Sequence, residues 1–177
     1  MHRRSAQRGR EVSLSAHQSA RMQSDEWLTP PEILTALGPF DLDPCTPDAM
    51  PWQTAAARYT KSDDGLVQPW RGRVWLNPPF GREAVRWLRK LVAHGDGVAL
   101  VPARTETRAW YECVWGVADA VCFLRGRPHF HRGNGERAAA NSGAPIALVA
   151  YGLRNADALR AAGLGFVVDA ARSGGKG

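Results

Sequence analysis

No stretch of this chain approaches the ~18 consecutive apolar residues of a membrane-spanning helix, so no membrane partner is expected. Cysteine is scarce: Cys45, Cys113 and Cys122 are an odd set without close pairing, which argues against a disulfide scaffold and fits a reducing compartment. The basic amino terminus lacks the apolar segment of a secretory signal, and the expected location is the cytoplasm. His129 and His131 alternate around Phe130 with no cysteine at ligand spacing, so no metal site is expected.

What is present describes an ordinary globular protein. A chain of 177 residues, 44% hydrophobic and 23% charged, suffices for one sizeable core. The formal charge of +6 is uneven: residues 1–22 hold Arg3, Arg4, Arg8, Arg10 and Arg21 against Glu11, a net +4, leaving +2 for the rest. A basic arm on a nearly neutral body suits a nucleic-acid partner, and a solvated tail without a partner fits the same composition. Residues 1–24 show no apolar periodicity and are expected to be disordered; 25–170 form the expected domain and 171–177 a flexible tail.

The chain is organised around Arg73-Val74-Trp75-Leu76-Asn77-Pro78-Pro79-Phe80-Gly81. Val74 to Leu76 read as a buried strand, which the two prolines end because neither supplies a ladder N–H. The product is a stiff loop at a strand's carboxyl end, where ligands bind in open α/β sheets. Asn77 Oδ1 and the Pro78 carbonyl can together accept from one planar NH₂ group, while Phe80 offers a stacking face. An amine held so is drawn towards sp³ geometry and becomes nucleophilic.

Before this loop, Thr29-Pro30-Pro31-Glu32 predicts a short helix with Thr29 as N-cap, Pro30 at the first position and Glu32 closing a capping box. Phe40-Asp41-Leu42-Asp43-Pro44 alternates as a short strand ending in carboxylates, and the same residues suit a turn. Residues 46–68 form a long irregular crossover with room for one small helix or strand; Trp52 and Tyr59 in it and Trp70 just beyond it suit either a pocket cover or packing. Beyond the loop, a helix is expected over 82–93, a buried strand at 98–101, a helix over 105–118, a strand at 120–124, a Gly-rich loop over 131–143, a strand at 146–151, a helix over 157–162 and a terminal strand at 166–168. The alternation predicts a doubly wound, mostly parallel α/β sheet with helices on both faces. The strand at 146–151 should be antiparallel, because no crossover helix precedes it.

Asn77-Pro78-Pro79-Phe80 resembles the catalytic motif of amino-methyltransferases. Trp27-Leu28-Thr29-Pro30-Pro31, Phe40 to Pro44, Asp63-Asp64-Gly65-Leu66, Trp75 to Phe80 and Gly126-Arg127-Pro128-His129-Phe130 together resemble the phage- and prophage-type DNA N6-adenine methyltransferases, the Dam-like family, over residues 25–152. The resemblance implies a Rossmann-like methyltransferase fold, S-adenosylmethionine as cofactor and adenine N6 in double-stranded DNA as acceptor, in a bacterial or phage-infected cell. It implies that Asn77, Pro78 and Phe80 are catalytic, with Pro79 at the substrate; flipping the base out of a duplex also calls for backbone contacts, for which the basic arm, Arg82, Arg125, Arg127 and Arg132 are the candidates. It further implies that Thr29, Pro30, Asp41, Asp43, Pro44, Asp63 and Asp64 bind the cofactor. The residues alone leave other planar amines open: cytosine N4, an RNA adenine or a protein glutamine amide. A DNA-binding module without turnover is also open, because Asp43-Pro44-Cys45-Thr46-Pro47 stands where most methyltransferases carry a glycine-rich turn. Pro44-Cys45 resembles the nucleophile of cytosine C5 methyltransferases, but it lacks their partner motif.

Overall fold

The computed structural model describes residues 27–170; the expected basic arm and carboxyl-terminal tail lie outside them. The elements run α1 (Pro31–Leu37), β1 (Leu42–Asp43), β2 (Ala57–Arg58), β3 (Val74–Leu76), α2 (Ala84–His94), β4 (Gly97–Pro102), α3 (Arg108–Cys113), β5 (Ala120–Leu124), β6 (Ile146–Tyr151), α4 (Leu153–Ala161) and β7 (Gly165–Asp169). They build one seven-stranded sheet in the order β2-β1-β3-β4-β6-β5-β7.

The first half of the sheet is parallel: β1 pairs with β2 and with β3, and β3 with β4. The expected antiparallel strand is β6, inserted between β4 and β5 and antiparallel to both. β7 closes the far edge antiparallel to β5. The fold is thus the expected α/β sheet, parallel in its amino-terminal half and antiparallel in its carboxyl-terminal half.

Alternation along the central strands divides the core into two layers. Trp75, Val98, Leu100, Cys122 and Leu148 face one side, where they meet Ile33, Leu34 and Leu37 of α1 and Leu159 of α4. Val74, Leu76, Val101, Val121 and Val149 face the other, against Leu88 and Leu91 of α2 and Trp110 of α3. A strand buried on both faces has no polar side to show, which is why 98–101 and 146–151 read as unbroken apolar runs.

Four local expectations need correction. Pro30, not Thr29, is the N-cap of α1; no side-chain cap forms, and Pro31 takes the first helical position. The cause is local: Pro31 disfavours the helical region for the residue before it, so Pro30 stays extended (ψ 132°) and the helix starts one residue later. Phe40 and Leu42 pack in opposite layers because the chain bends at Asp41, so β1 is two residues long. α3 covers Arg108–Cys113 only, its expected ends being turns, whereas α4 begins at Leu153, ahead of the expected start. The long crossover contributes the edge strand β2, and Trp70 just beyond it is buried packing.

Candidate active site

β1 and β3 are hydrogen-bonded neighbours, with Leu42 opposite Val74. Their carboxyl ends therefore open side by side, and between them lies a cavity of about 350 Å³. One wall is the turn after β1, Pro44-Cys45-Thr46-Pro47; another is Asn77-Pro78-Pro79-Phe80 after β3. Trp27, the 60–65 loop (Thr60, Lys61, Asp64, Gly65) and Trp87 of α2 complete it. The volume lies in the range of small-molecule sites, roughly 300–1,000 Å³.

The acceptor half is built by the chain leaving β3. Asn77 Nδ2 donates to the Trp27 carbonyl at 2.8 Å. A carbonyl can be met only by the NH₂ end of an amide, so this contact fixes the side chain's orientation and leaves Oδ1 as the available acceptor. Among the described residues nothing donates to Oδ1 or to the Pro78 carbonyl. Two unmet acceptors thus stand on adjacent residues of a loop that its prolines stiffen. Phe80 is half-buried and meets Phe130 edge to face, with ring centroids 6.1 Å apart.

The turn after β1 carries no glycine and is closed by its own side chains. Cys45 N–H donates to Asp43 Oδ1 at 3.1 Å and Thr46 Oγ1 to the Asp43 carbonyl at 3.3 Å, so side chains close the turn. Close backbone approach comes instead from the neighbouring loop. A Cβ on Gly65 would fall 2.0 Å from the Pro44 carbonyl oxygen, a position no side chain can occupy. The Gly65 carbonyl is held in turn by Trp70 Nε1 at 2.8 Å and Lys90 Nζ at 3.2 Å. Lys90 also donates to the carbonyls of Leu66 and Gln68, both at 2.6 Å.

Of the expected cofactor residues, Pro44 and Asp64 line the cavity. Asp64 is the one non-glycine residue with positive φ among the described residues (50°), a left-handed conformation that aspartate tolerates. Asp63 is turned away: its carboxylate accepts from Thr60 N–H at 2.7 Å and Thr60 Oγ1 at 2.9 Å, and these bonds hold its pKa below the usual value. Asp43 is buried beneath the turn and accepts from Thr54 Oγ1 at 2.6 Å; desolvation outweighs that bond and raises its pKa. Asp41 stands at the opposite, amino edge of the sheet, where its carboxylate accepts from Arg73 N–H at 2.6 Å.

Thr29 and Pro30 lie behind the Trp27 wall and off the cavity lining. Among the described residues, Trp27 Nε1, Thr29 Oγ1, Trp52 Nε1 and His131 Nδ1 are buried without hydrogen-bond partners. Trp52 and His131 touch edge to face at 5.1 Å, and His131 bridges Leu28. Arg82 is exposed past the end of the loop, and Arg127 donates to the Gly143 carbonyl at 3.0 Å, both outside the lining. Lys61 and Trp87 were missed by sequence reasoning, since nothing in their local pattern separates them from surface or core residues.

Among the described residues no helix is long and apolar enough to cross a membrane, and no three His, Cys, Asp or Glu side chains group as metal ligands. No curated protein and no solved structure matches the chain. The family model described as DNA N-6-adenine-methyltransferase (Dam) matches residues 16–158, and the chain belongs to that family.

Proposed function

We propose that this protein transfers a methyl group from S-adenosylmethionine to the N6 amine of adenine in double-stranded DNA, in the cytoplasm of a bacterial or phage-infected cell. The observation that carries the reading is the pair of unmet acceptors, Asn77 Oδ1 and the Pro78 carbonyl, on a stiffened loop at the cavity. One planar amine has two N–H donors, and these two acceptors match them. Holding both aligns the nitrogen lone pair away from the ring and lowers the reorganisation needed for attack. Phe80 supplies a face for the base, with Pro79 beside it.

Bound S-adenosylmethionine supplies the electrophilic methyl. The cavity suits such a group: proline and indole surfaces for its apolar parts, Asp64, Thr60 and Lys61 for its polar ones. Trp27, which lines the cavity, carries an indole Nε1 without a hydrogen-bond partner among the described residues. Asn77, Pro78 and Phe80 take the catalytic roles, Pro44 and Asp64 the cofactor contacts. The methyltransferase domain spans 25–170, and the arm 1–24 and Arg82 contact DNA phosphates.

The test is methylation of assorted duplex DNAs by the purified protein with S-adenosylmethionine, followed by mass spectrometry of the digested nucleosides. N6-methyladenine is the expected product. N4-methylcytosine would reassign the acceptor, and an unmodified digest would leave only the binding-module reading.

A further inference from the structure

The connection between β5 and β6, residues 125–145, is the longest irregular segment among the described residues, and long connections within compact domains are commonly functional. It carries Arg125, Arg127, Arg132 and Arg137 against Glu136 alone, a net +3. β4 and β5 are both antiparallel to β6, so they run the same way, and the segment leaves the sheet on the edge that holds the cavity.

The tip of the segment is an ordered finger. His131 bridges Arg137, Arg132 N–H donates to the Glu136 carbonyl at 2.9 Å, and Gly135 N–H donates to the Arg132 carbonyl at 2.8 Å. Asn134 Oδ1 accepts from Glu136 N–H at 3.0 Å, which leaves the Asn134 NH₂ group as a donor. The finger's base is tied to the acceptor site on two sides. His131 pairs with Leu28, the neighbour of the Trp27 that orients Asn77, and Phe130 packs against Phe80.

Its charges are unspent. Exposed arginines on the helices are paired with carboxylates: Arg86 with Glu83, Arg89 and Arg108 with Glu112, Arg154 with Asp96, Arg160 with Asp169. Arg132 and Arg137 are exposed and meet no carboxylate among the described residues. A stiff hairpin that carries exposed arginines without carboxylate partners presents positive charge that suits a polyanion.

We infer that the 131–137 finger is a DNA-docking element, in which Arg132 and Arg137 contact backbone phosphates of the duplex that flanks the target base. The inference rests on the DNA-methyltransferase reading above and adds to it the element that grips the substrate. The finger would fix the duplex relative to Phe80 while the base leaves the stack, offsetting the flipping cost of a few kcal/mol.

The experiment compares full-length wild type, the Arg132→Gln/Arg137→Gln pair, and Arg71→Gln as an exposed arginine at the sheet's opposite edge. Duplex binding is titrated across salt concentrations, S-adenosylmethionine affinity is read by calorimetry, and folding is checked by thermal unfolding. Losing two phosphate contacts should lower the slope of log affinity against log salt by about 2 and leave cofactor affinity unchanged. Arg71→Gln should keep the wild-type slope. Should the pair retain the wild-type slope while wild type methylates DNA, the docking assignment is overturned and the methyltransferase reading stands. Wild type that takes up no DNA at all overturns both. If the pair unfolds early, the single Arg132→Gln variant must show a slope change of about 1 for the assignment to survive.

Discussion

Gly65 presses against the Pro44 carbonyl so closely that an added Cβ would lie 2.0 Å from the oxygen, with the Trp87 ring 3.3 Å away on its other side. The two loops that wall this side of the cavity therefore meet backbone to backbone. Gly65→Ala must push them apart, and overpacking of this kind costs about 1–3 kcal/mol. A lower unfolding temperature together with weaker S-adenosylmethionine binding is expected. Gly133→Ala, where a Cβ meets nothing within 4 Å, should alter neither. A Gly65→Ala protein with wild-type cofactor affinity would show that this contact does not shape the pocket.

Cys45 lines the cavity, yet burial pushes its thiol up from 9.0 to about 12, with the Asp43 carboxylate adding to the effect. At pH 7 only on the order of one thiol in 10⁵ is then ionised, so it is a poor nucleophile. Iodoacetamide should label Cys45 in the folded protein far more slowly than in the urea-unfolded chain at the same pH. Rapid labelling of the native protein would revive a thiolate mechanism. A raised folded-state pKa contributes stability that is complete below the unfolded value and is lost as pH rises through the folded one. The fold should therefore weaken from about pH 9 towards 12, and Tyr151, whose phenol is also raised by burial, acts in the same direction.

Arg73 locks the edge of the sheet opposite the cavity. Its Nε donates to Asn155 Oδ1 at 2.6 Å, its Nη1 to the carbonyls of Leu37 and Pro39 at 2.9 and 3.0 Å, and its guanidinium lies 4.3 Å from the Phe40 ring centroid. Arg73→Met leaves those acceptors buried and unmet, and should cost about 2–4 kcal/mol in denaturant unfolding. Because the network is remote from the cavity, cofactor affinity of the folded fraction should not change. A parallel loss of affinity would mean that the two edges of the sheet are coupled.

The readable parts of the chain were those where local chemistry and tertiary packing agree. Val98 to Val101 and Ile146 to Tyr151 are buried on both faces, so their apolar runs could be nothing but central strands, and the missing crossover helix gave the direction of β6. The stop at Asn77-Pro78 was legible because proline has one local consequence. The carboxylates were not. Asp41, Asp43, Asp63 and Asp64 look alike in sequence, yet one binds a backbone N–H at the amino edge, one is buried under a turn, one caps its own loop and one faces the cavity. Which of these happens depends on partners 3 to 32 positions away, Thr60 for Asp63, Thr54 for Asp43 and Arg73 for Asp41. Thr29 is a different case: Pro31 keeps Pro30 extended, so the cap moved by one residue for a purely local reason.

The proposed role of Asn77, oriented by the Trp27 carbonyl, is to hold the amine that receives the methyl group. The measurement that tests it most directly is the single-turnover rate of methyl transfer to DNA by Asn77→Ala beside wild type, with cofactor and DNA affinities measured on the same proteins. Removing one preorganised polar partner of a transition state should slow transfer on the order of 10²–10³-fold and leave both affinities within a few-fold. A variant that transfers methyl at the wild-type rate would contradict the account.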